Sequence, residues 1–89
     1  MLDRNVTIVN KLGLHARAAA KFVTLASSFA SEIKLERNGQ QVNGKRIMGV
    51  MMLAASKGSE ITISASGDDE SEAVDRLSEL VAQRFGEEE

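Results

Sequence analysis

The 89-residue chain has no cysteine, proline, tryptophan or tyrosine, only three phenylalanines and a single histidine. Without cysteine there can be no disulfide, thiolate metal site, iron–sulfur cluster or thiol nucleophile. One histidine excludes a metal site built from several histidines. The few aromatic residues argue against a base-stacking surface for nucleic acid. We therefore expect no metal, no cofactor and no nucleic-acid partner.

Long apolar runs are also missing. The longest nearly apolar stretch, residues 47–55, is far shorter than the roughly 20 residues of a membrane-spanning helix. The first ten residues lack the apolar core of a secretory signal. A chain without cysteine and without these segments is expected to be cytoplasmic and not inserted in a membrane.

Charge is unevenly distributed along the chain, whose formal net charge is −2. Residues 1–67 carry nine Lys or Arg against four Asp or Glu, whereas residues 68–89 carry two against nine. A basic body can attract an anion or an acidic partner. The acidic end is equally well interpreted as a solvated helix followed by a glutamate-rich coil. We expect one domain over residues 1–89, with residues 87–89 forming a frayed acidic tail.

Short stretches that alternate apolar and polar residues predict four half-buried strands. Their apolar positions are, in chain order, Val6 and Ile8, then Ile33 and Leu35, then Val42, and finally Ile61, Ile63 and Ala65. Between the second and third stretches stands Asn38-Gly39, a pair typical of a tight hairpin because both residues tolerate a positive φ.

Helical periodicity appears in two longer stretches, and a short helix is expected over residues 47–55. In the last helix Asp69 is the predicted N-cap, with Glu72 as its capping-box partner. The first apolar stripe is Ala19, Phe22, Val23, Ala26 and Ala30, and the second is Ala73, Val74, Leu77, Leu80, Val81 and Phe85. The order βαββαβα predicts an α+β open-faced sandwich, a four-stranded, mainly antiparallel sheet covered by three helices on one face.

The only histidine stands where a strand and a glycine turn give way to the first helix, in Asn10-Lys11-Leu12-Gly13-Leu14-His15-Ala16-Arg17-Ala18-Ala19. Histidine is a poor helix cap, so its position suggests another purpose. The unpartnered N–H groups of a first helical turn favour an anion and a neutral imidazole. If His15 accepts a phosphoryl group, the backbone N–H groups of Ala16 and Arg17 can hold its oxygens, and the Arg17 side chain can add a charge-assisted bond. From spacing alone, a surface histidine beside a solvated arginine is an equally good interpretation.

The segment from Leu12 to Ala18 resembles the active-site segment of the HPr family, the histidine-containing phosphocarriers of the bacterial phosphoenolpyruvate-dependent phosphotransferase system. A second segment, Val42-Asn43-Gly44-Lys45-Arg46-Ile47-Met48-Gly49-Val50-Met51, is similar to the other characteristic segment of the family, at the expected separation. Length and element order fit as well, so the resemblance covers nearly the whole chain.

The resemblance implies that His15 is phosphorylated on Nδ1, as a pros-phosphohistidine, and that Arg17 assists the transfer. The phosphoryl group would come from phosphoenolpyruvate through Enzyme I and leave for a IIA-type protein. The chain would then be a monomeric carrier rather than an enzyme, because its own side chain is the substrate. The implied docking residues for both partners are Ile47, Met48 and Met51. The charges of Lys45 and Arg46 stand next to them in the sequence and are expected to join the docking surface, because they would speed the capture of an acidic partner. Among their neighbours, Val50, Met52 and Leu53 are expected in the core.

Two positions depart from the family pattern. Many relatives have proline where this chain has Ala18, a change of little expected effect because alanine suits a helix. Many have a serine where this chain has Arg46, and in some bacteria a kinase phosphorylates that serine. That regulation cannot apply here. Whether the carrier serves sugar uptake or the nitrogen-related branch of the system is left open.

Two other functions fit the predicted element order. A ferredoxin-like regulatory domain that binds a small molecule would use a sheet edge or dimer interface and would not need His15. RNA binding on the open sheet face is the weakest alternative, because the outward residues Thr7, Lys34 and Thr62 are not aromatic.

Overall fold

The computed structural model describes all 89 residues. Its elements follow the predicted order: β1 (Leu2–Thr7), α1 (Ala16–Ser27), β2 (Glu32–Arg37), β3 (Gln40–Asn43), α2 (Ile47–Met52), β4 (Glu60–Ser66), α3 (Glu70–Ala82) and a short 3₁₀ turn (Arg84–Gly86). None of the helices has the length and apolar character needed to cross a membrane.

The four strands form one sheet in the order β1-β4-β2-β3, and every neighbouring pair is antiparallel. In β4 the buried residues Ile61, Ile63 and Ala65 alternate with more exposed ones, so one face of the sheet meets the core. Asn38 and Gly39 have φ values of 52° and 83°, which is the conformation of the predicted hairpin turn. The predicted fold class is confirmed.

The core is a single cluster of 20 buried apolar residues between the sheet and the helices. Helix α1 contributes Ala18, Ala19, Phe22 and Ala26 to it. Ala30 does not belong to this stripe as predicted, because α1 ends at Ser27 and Ala30 is exposed. The neighbouring Ser28 donates its hydroxyl to the Leu25 carbonyl at 2.6 Å, a local bond that competes with continuation of the helix.

The start of α3 differs from the predicted capping box. Asp69 occupies the N-cap, but its carboxylate makes no bond to the helix. It accepts instead from the N–H groups of Ala30 at 2.8 Å and Ser31 at 2.9 Å and from the Ser31 hydroxyl. Glu72 pairs with Arg76 one turn further along. Three donors from the loop before β2 replace the single bond that a cap would make, so Asp69 ties this loop to α3.

The C-terminal residues 87–89, for which the charge pattern predicts a frayed tail, contact the loop after β1 in this structure. After α3, Arg84 and Phe85 adopt left-handed φ values of 58° and 54°, and the chain reverses. Phe85 is fully buried, and its carbonyl accepts from the Lys21 ammonium at 2.7 Å. A backbone oxygen of Glu89 accepts from the Lys11 amide at 2.9 Å. Burial of an aromatic ring outweighs the solvation of the charged tail, which therefore folds back over the loop after β1.

We predict that Asp69→Asn lowers the urea midpoint of unfolding at neutral pH. The Ser31 hydroxyl and the Ala30 amide hold the pKa of Asp69 below its ordinary value of 3.8. A carboxyl with a lowered pKa stabilises the fold above its unfolded-state value and loses that effect as the pH falls through its folded-state value. The difference from wild type should therefore shrink as the pH drops below 3.8.

Asp68→Asn is the matched control, because Asp68 is exposed and makes no side-chain hydrogen bond or ion pair. Equal midpoints for the two variants from neutral pH to pH 3 would contradict the role of Asp69 as a tie between the loop and the helix.

Candidate functional site

A tight loop between β1 and α1 sets the position of His15. The Gly13 amide donates to the Asn10 carbonyl at 3.2 Å, and the Leu14 amide donates to the Ala55 carbonyl at 2.9 Å. Leu14 is buried, so the next residue begins the helix at a fixed place. His15 is the N-cap of α1, with extended φ and ψ of −72° and 176°. This agrees with the sequence, in which His15 stands where the glycine turn gives way to the first helix.

Gly13 is required in this loop for two reasons. Its φ of 68° is in the left-handed region, where other residues are strained. A Cβ at this position would also lie 2.5 Å from the Ala55 carbonyl oxygen and 2.9 Å from the Ser56 Cα. The close approach of the two chain segments therefore depends on the absence of a side chain.

The first turn of α1 carries three backbone donors without acceptors. The first bonded amide of the helix is that of Ala19, which donates to the His15 carbonyl at 2.8 Å. The N–H groups of Ala16, Arg17 and Ala18 have no partner in the chain, the His15 side chain does not cap them, and no acidic residue lies in this turn. Together with the helix dipole, these donors favour an anion beside His15.

The His15 ring faces a carboxylate from the far end of the sequence. Its Nε2 atom contacts Oε2 of Glu87. The other oxygen of Glu87 accepts from the Asn10 side-chain amide at 2.9 Å, and the same amide donates to the Gly13 carbonyl at 2.8 Å. The side chains of His15 and Glu87 are 28% and 16% exposed, so the ring is accessible but not freely solvated.

The hydrogen bond from Asn10 is the main cause that lowers the pKa of Glu87 below its ordinary value of 4.5, and the bond from His15 adds to it. Partial burial acts in the opposite direction. Glu87 is therefore ionised at neutral pH and presents a negative charge to the imidazole.

Sequence reasoning missed both Glu87 and the role of Asn10. Glu87 is separated from His15 by 72 positions and from Asn10 by 77. Contacts over such separations leave no local pattern in the sequence. The helix amides bring only the positive ends of N–H groups to His15, whereas Glu87 adds a negative partner at Nε2. The sequence offers only an asparagine three residues before Gly13 as a signal, and its burial is visible only in the structure.

Arg17 lies on the exposed side of α1 and makes no hydrogen bond or ion pair. It lines an open groove between α1 and α3 together with Lys21 and Arg76. The guanidinium is thus free to bind an anion that reaches the start of the helix. No cluster of three or more metal-ligating side chains occurs in the chain.

Helix α2 packs against α1 and exposes apolar side chains. Ile47, Met48 and Met51 are exposed, Met48 to 69%. The prediction that Met52 lies in the core is wrong, because Met52 is 65% exposed. Residues one helical turn apart share a face, so Met48, Met51 and Met52 point outward together.

The opposite face of α2 meets the core. Val50 and Leu53, which are also one turn apart, are both buried as predicted. The two basic residues before the helix differ from each other. Lys45 donates its ammonium to the Phe29 carbonyl at 2.7 Å, whereas Arg46 is exposed and has no partner. Of this pair, only Arg46 presents an uncommitted charge beside α2.

Comparison with known proteins places these features in context. A family model described as "PTS HPr component phosphorylation site" matches residues 2–83. The phosphocarrier protein HPr of Cupriavidus necator is 60% identical over 87 residues, which cover 98% of each chain. A crystal structure of HPr-C-His from Thermoanaerobacter tengcongensis superposes with a TM-score of 0.96 over the full length of both chains, at 48% identity. A structure of an HPr dimer from the same organism gives a TM-score of 0.79 at 48% identity and covers 98% of this chain and 100% of that one.

We predict that Gly13→Ala destabilises the protein more than Gly39→Ala does. Gly39 also has a positive φ, 83°, but a Cβ there meets nothing within 4 Å. Gly39→Ala should therefore show only the backbone strain, about 1–2 kcal/mol. Gly13→Ala adds the overlap with Ala55 and Ser56, about 1–3 kcal/mol more. Urea unfolding measures the loss of stability in each variant. Equal losses would contradict the prediction, because they would show that the loop at Gly13 can move away from Ala55 and Ser56 without cost.

Proposed function

The chain belongs to the HPr family of phosphocarriers, and from that premise we propose that His15 accepts a phosphoryl group from phospho-Enzyme I and passes it to a IIA-type protein. Phosphoenolpyruvate is the ultimate source of the group. The observation that carries this proposal is the accessible imidazole of His15 at the end of a helix whose first three N–H groups have no acceptor.

The arrangement suits phosphoryl transfer because the donors are already in place. A lone pair of the ring attacks phosphorus, and the bond between phosphorus and the donor breaks. The phosphoryl oxygens can then bond to the N–H groups of Ala16 and Arg17, and the Arg17 guanidinium can move onto them without first breaking another contact. Preorganised donors of this kind stabilise the charge on a transferring group. Because the side chain of His15 is itself the acceptor, the protein acts as a carrier and does not need a base of its own to activate water.

A carrier must present the same nitrogen to two different proteins, so both have to dock on the surface around His15. We propose that this surface includes Ile47, Met48 and Met51, with Arg46 at its edge. Methionine side chains are flexible and polarizable and can adapt to more than one partner. Leu12, exposed to 67% in the loop before His15, adds a further apolar side chain to the proposed surface. Met52 joins it in place of the core role expected from the sequence.

The monomeric state and the cytoplasmic location expected from the sequence stay predictions. A monomer leaves the surface around His15 open to each partner in turn, which is what a carrier requires. Lys45 contributes to docking through its backbone and stem, since its ammonium is bound to Phe29.

We predict that His15→Ala abolishes phosphate uptake from phosphoenolpyruvate and Enzyme I, measured as the gain of one phosphate by mass. Arg17→Ala should slow uptake about tenfold or more, the usual effect of removing a hydrogen bond to a charged group. Arg76→Ala is the control, since Arg76 lines the same groove but comes from α3. Circular dichroism checks the fold of each variant. Phosphate on the folded His15→Ala protein would refute the proposal.

We also predict that Arg46→Glu slows association with an acidic partner and that the effect weakens as salt is added, because rim charges act mainly on the association rate. Lys34→Glu makes the same change of charge on β2, outside the proposed docking surface, and should have a smaller effect. Stopped-flow association with Enzyme I at several salt concentrations measures both rates. If the two variants behave alike, Arg46 has no special place at the interface.

A further inference from the structure

The contact between Glu87 and His15 is not explained by phosphate binding. Glu87 lies after the last element, and its carboxylate brings negative charge to a site that must receive an anion. Such a group weakens the approach of phosphate unless it contributes something else. Its position on one particular ring nitrogen indicates what that contribution is.

An ionised carboxylate can only accept hydrogen bonds. Both oxygens of Glu87 are engaged, one by Asn10 and the other by Nε2 of His15. The Nε2 atom must therefore carry the proton, and in the neutral ring Nδ1 keeps the lone pair. The Nδ1 atom has no hydrogen-bond partner in the chain, so its lone pair is available to an incoming group.

We infer that Glu87 is a positioning residue for phosphoryl transfer, which fixes the His15 tautomer and ring orientation so that Nδ1 is the attacking nitrogen. This inference rests on the proposed function. In hydrolytic triads a buried carboxylate holds the histidine in the correct tautomer and orientation. Glu87 would have the same role here.

The support for Glu87 is rigid enough for that part. The buried side-chain amide of Asn10 donates to the Glu87 oxygen that does not contact His15, and it also donates to the Gly13 carbonyl. Asn10 therefore holds both Glu87 and the loop before α1. On the other side, burial of Phe85 and the bond from Lys21 to the Phe85 carbonyl fix the chain two residues before Glu87. The left-handed conformation of Phe85 is the kind of strain that persists only where the surroundings impose it.

In the transfer step, the Nδ1 lone pair forms the bond to phosphorus while the bond between phosphorus and the donor breaks, and its electron pair leaves with the donor. The proton stays on Nε2 throughout. As Nδ1 bonds to phosphorus, positive charge develops on the ring, and the Glu87 carboxylate stabilises it through Nε2–H. The reverse step to an acceptor passes through the same charge distribution.

Glu87→Gln tests this inference, because it removes the charge while keeping an oxygen that can accept from Asn10. Glu88→Gln is the matched control: it removes one charge from the same tail at an exposed residue without a hydrogen bond or ion pair. Steady-state phosphorylation by Enzyme I and phosphoenolpyruvate gives kcat and KM for each variant. Nitrogen-15 spectra of the histidine ring at about pH 8, above the ordinary histidine range, report the Nε2–H proton.

We expect Glu87→Gln to lower kcat about tenfold or more with little change in KM, by analogy with the carboxylates that orient metal-bound histidines, which commonly contribute about 10–100-fold. Its Nε2–H signal should broaden into exchange with water, whereas wild type and Glu88→Gln keep a protected signal. Glu88→Gln should stay within about twofold of wild type, as is usual for an isolated surface change. Partial recovery of kcat in Glu87→Asp would add support.

The inference is overturned if Glu87→Gln keeps the wild-type kcat, if only KM changes, or if the Nε2–H signal is the same in both glutamine variants. These results leave the proposed function intact as long as the wild-type protein takes up phosphate. If the wild type takes up none, the proposed function fails and this role fails with it, even where the spectra show the contact between Glu87 and His15.

Discussion

One buried side chain, Asn10, holds the functional end of this molecule together. Its side-chain NH₂ group donates to the Gly13 carbonyl and to Glu87, and the backbone carbonyl of the same residue accepts from the Gly13 amide. The first bond shapes the loop that starts α1, and the second brings the C-terminus to the histidine. A buried amide without these partners would be strongly destabilising, so the loop and the tail are held in one arrangement. The geometry around His15 follows from that constraint.

The rest of the fold is a platform for this arrangement. The antiparallel sheet and its 20-residue core fix α1, and α2 packs beside it. The outward faces of these helices carry the free Arg17 guanidinium and the exposed methionines around Met48. Rigid backbone donors thus stand next to adaptable side chains. This division suits a carrier, which needs one constant chemical site and several transient partners.

Local patterns predicted most of the fold, and they failed where a distant segment intervened. The hairpin at Asn38-Gly39 was predictable because its backbone conformation depends on those two residues. The capping box at Asp69 was wrong because donors from the loop before β2 bind that carboxylate instead. Met52 was placed in the core because it is apolar, but this short helix has only one inner face, which Val50 and the C-cap residue Leu53 fill.

The sequence by itself determined the element order, the position of His15 at the start of a helix and the exposed arginine two residues later. Each of these depends on periodicity or on turn chemistry within a few residues. Only the tertiary structure decided which ring nitrogen faces a carboxylate, because Glu87 and His15 are 72 positions apart and meet only after Phe85 is buried in the core. A charged tail has the same local pattern whether it is solvated or bound, and the difference comes from packing that short-range patterns do not encode.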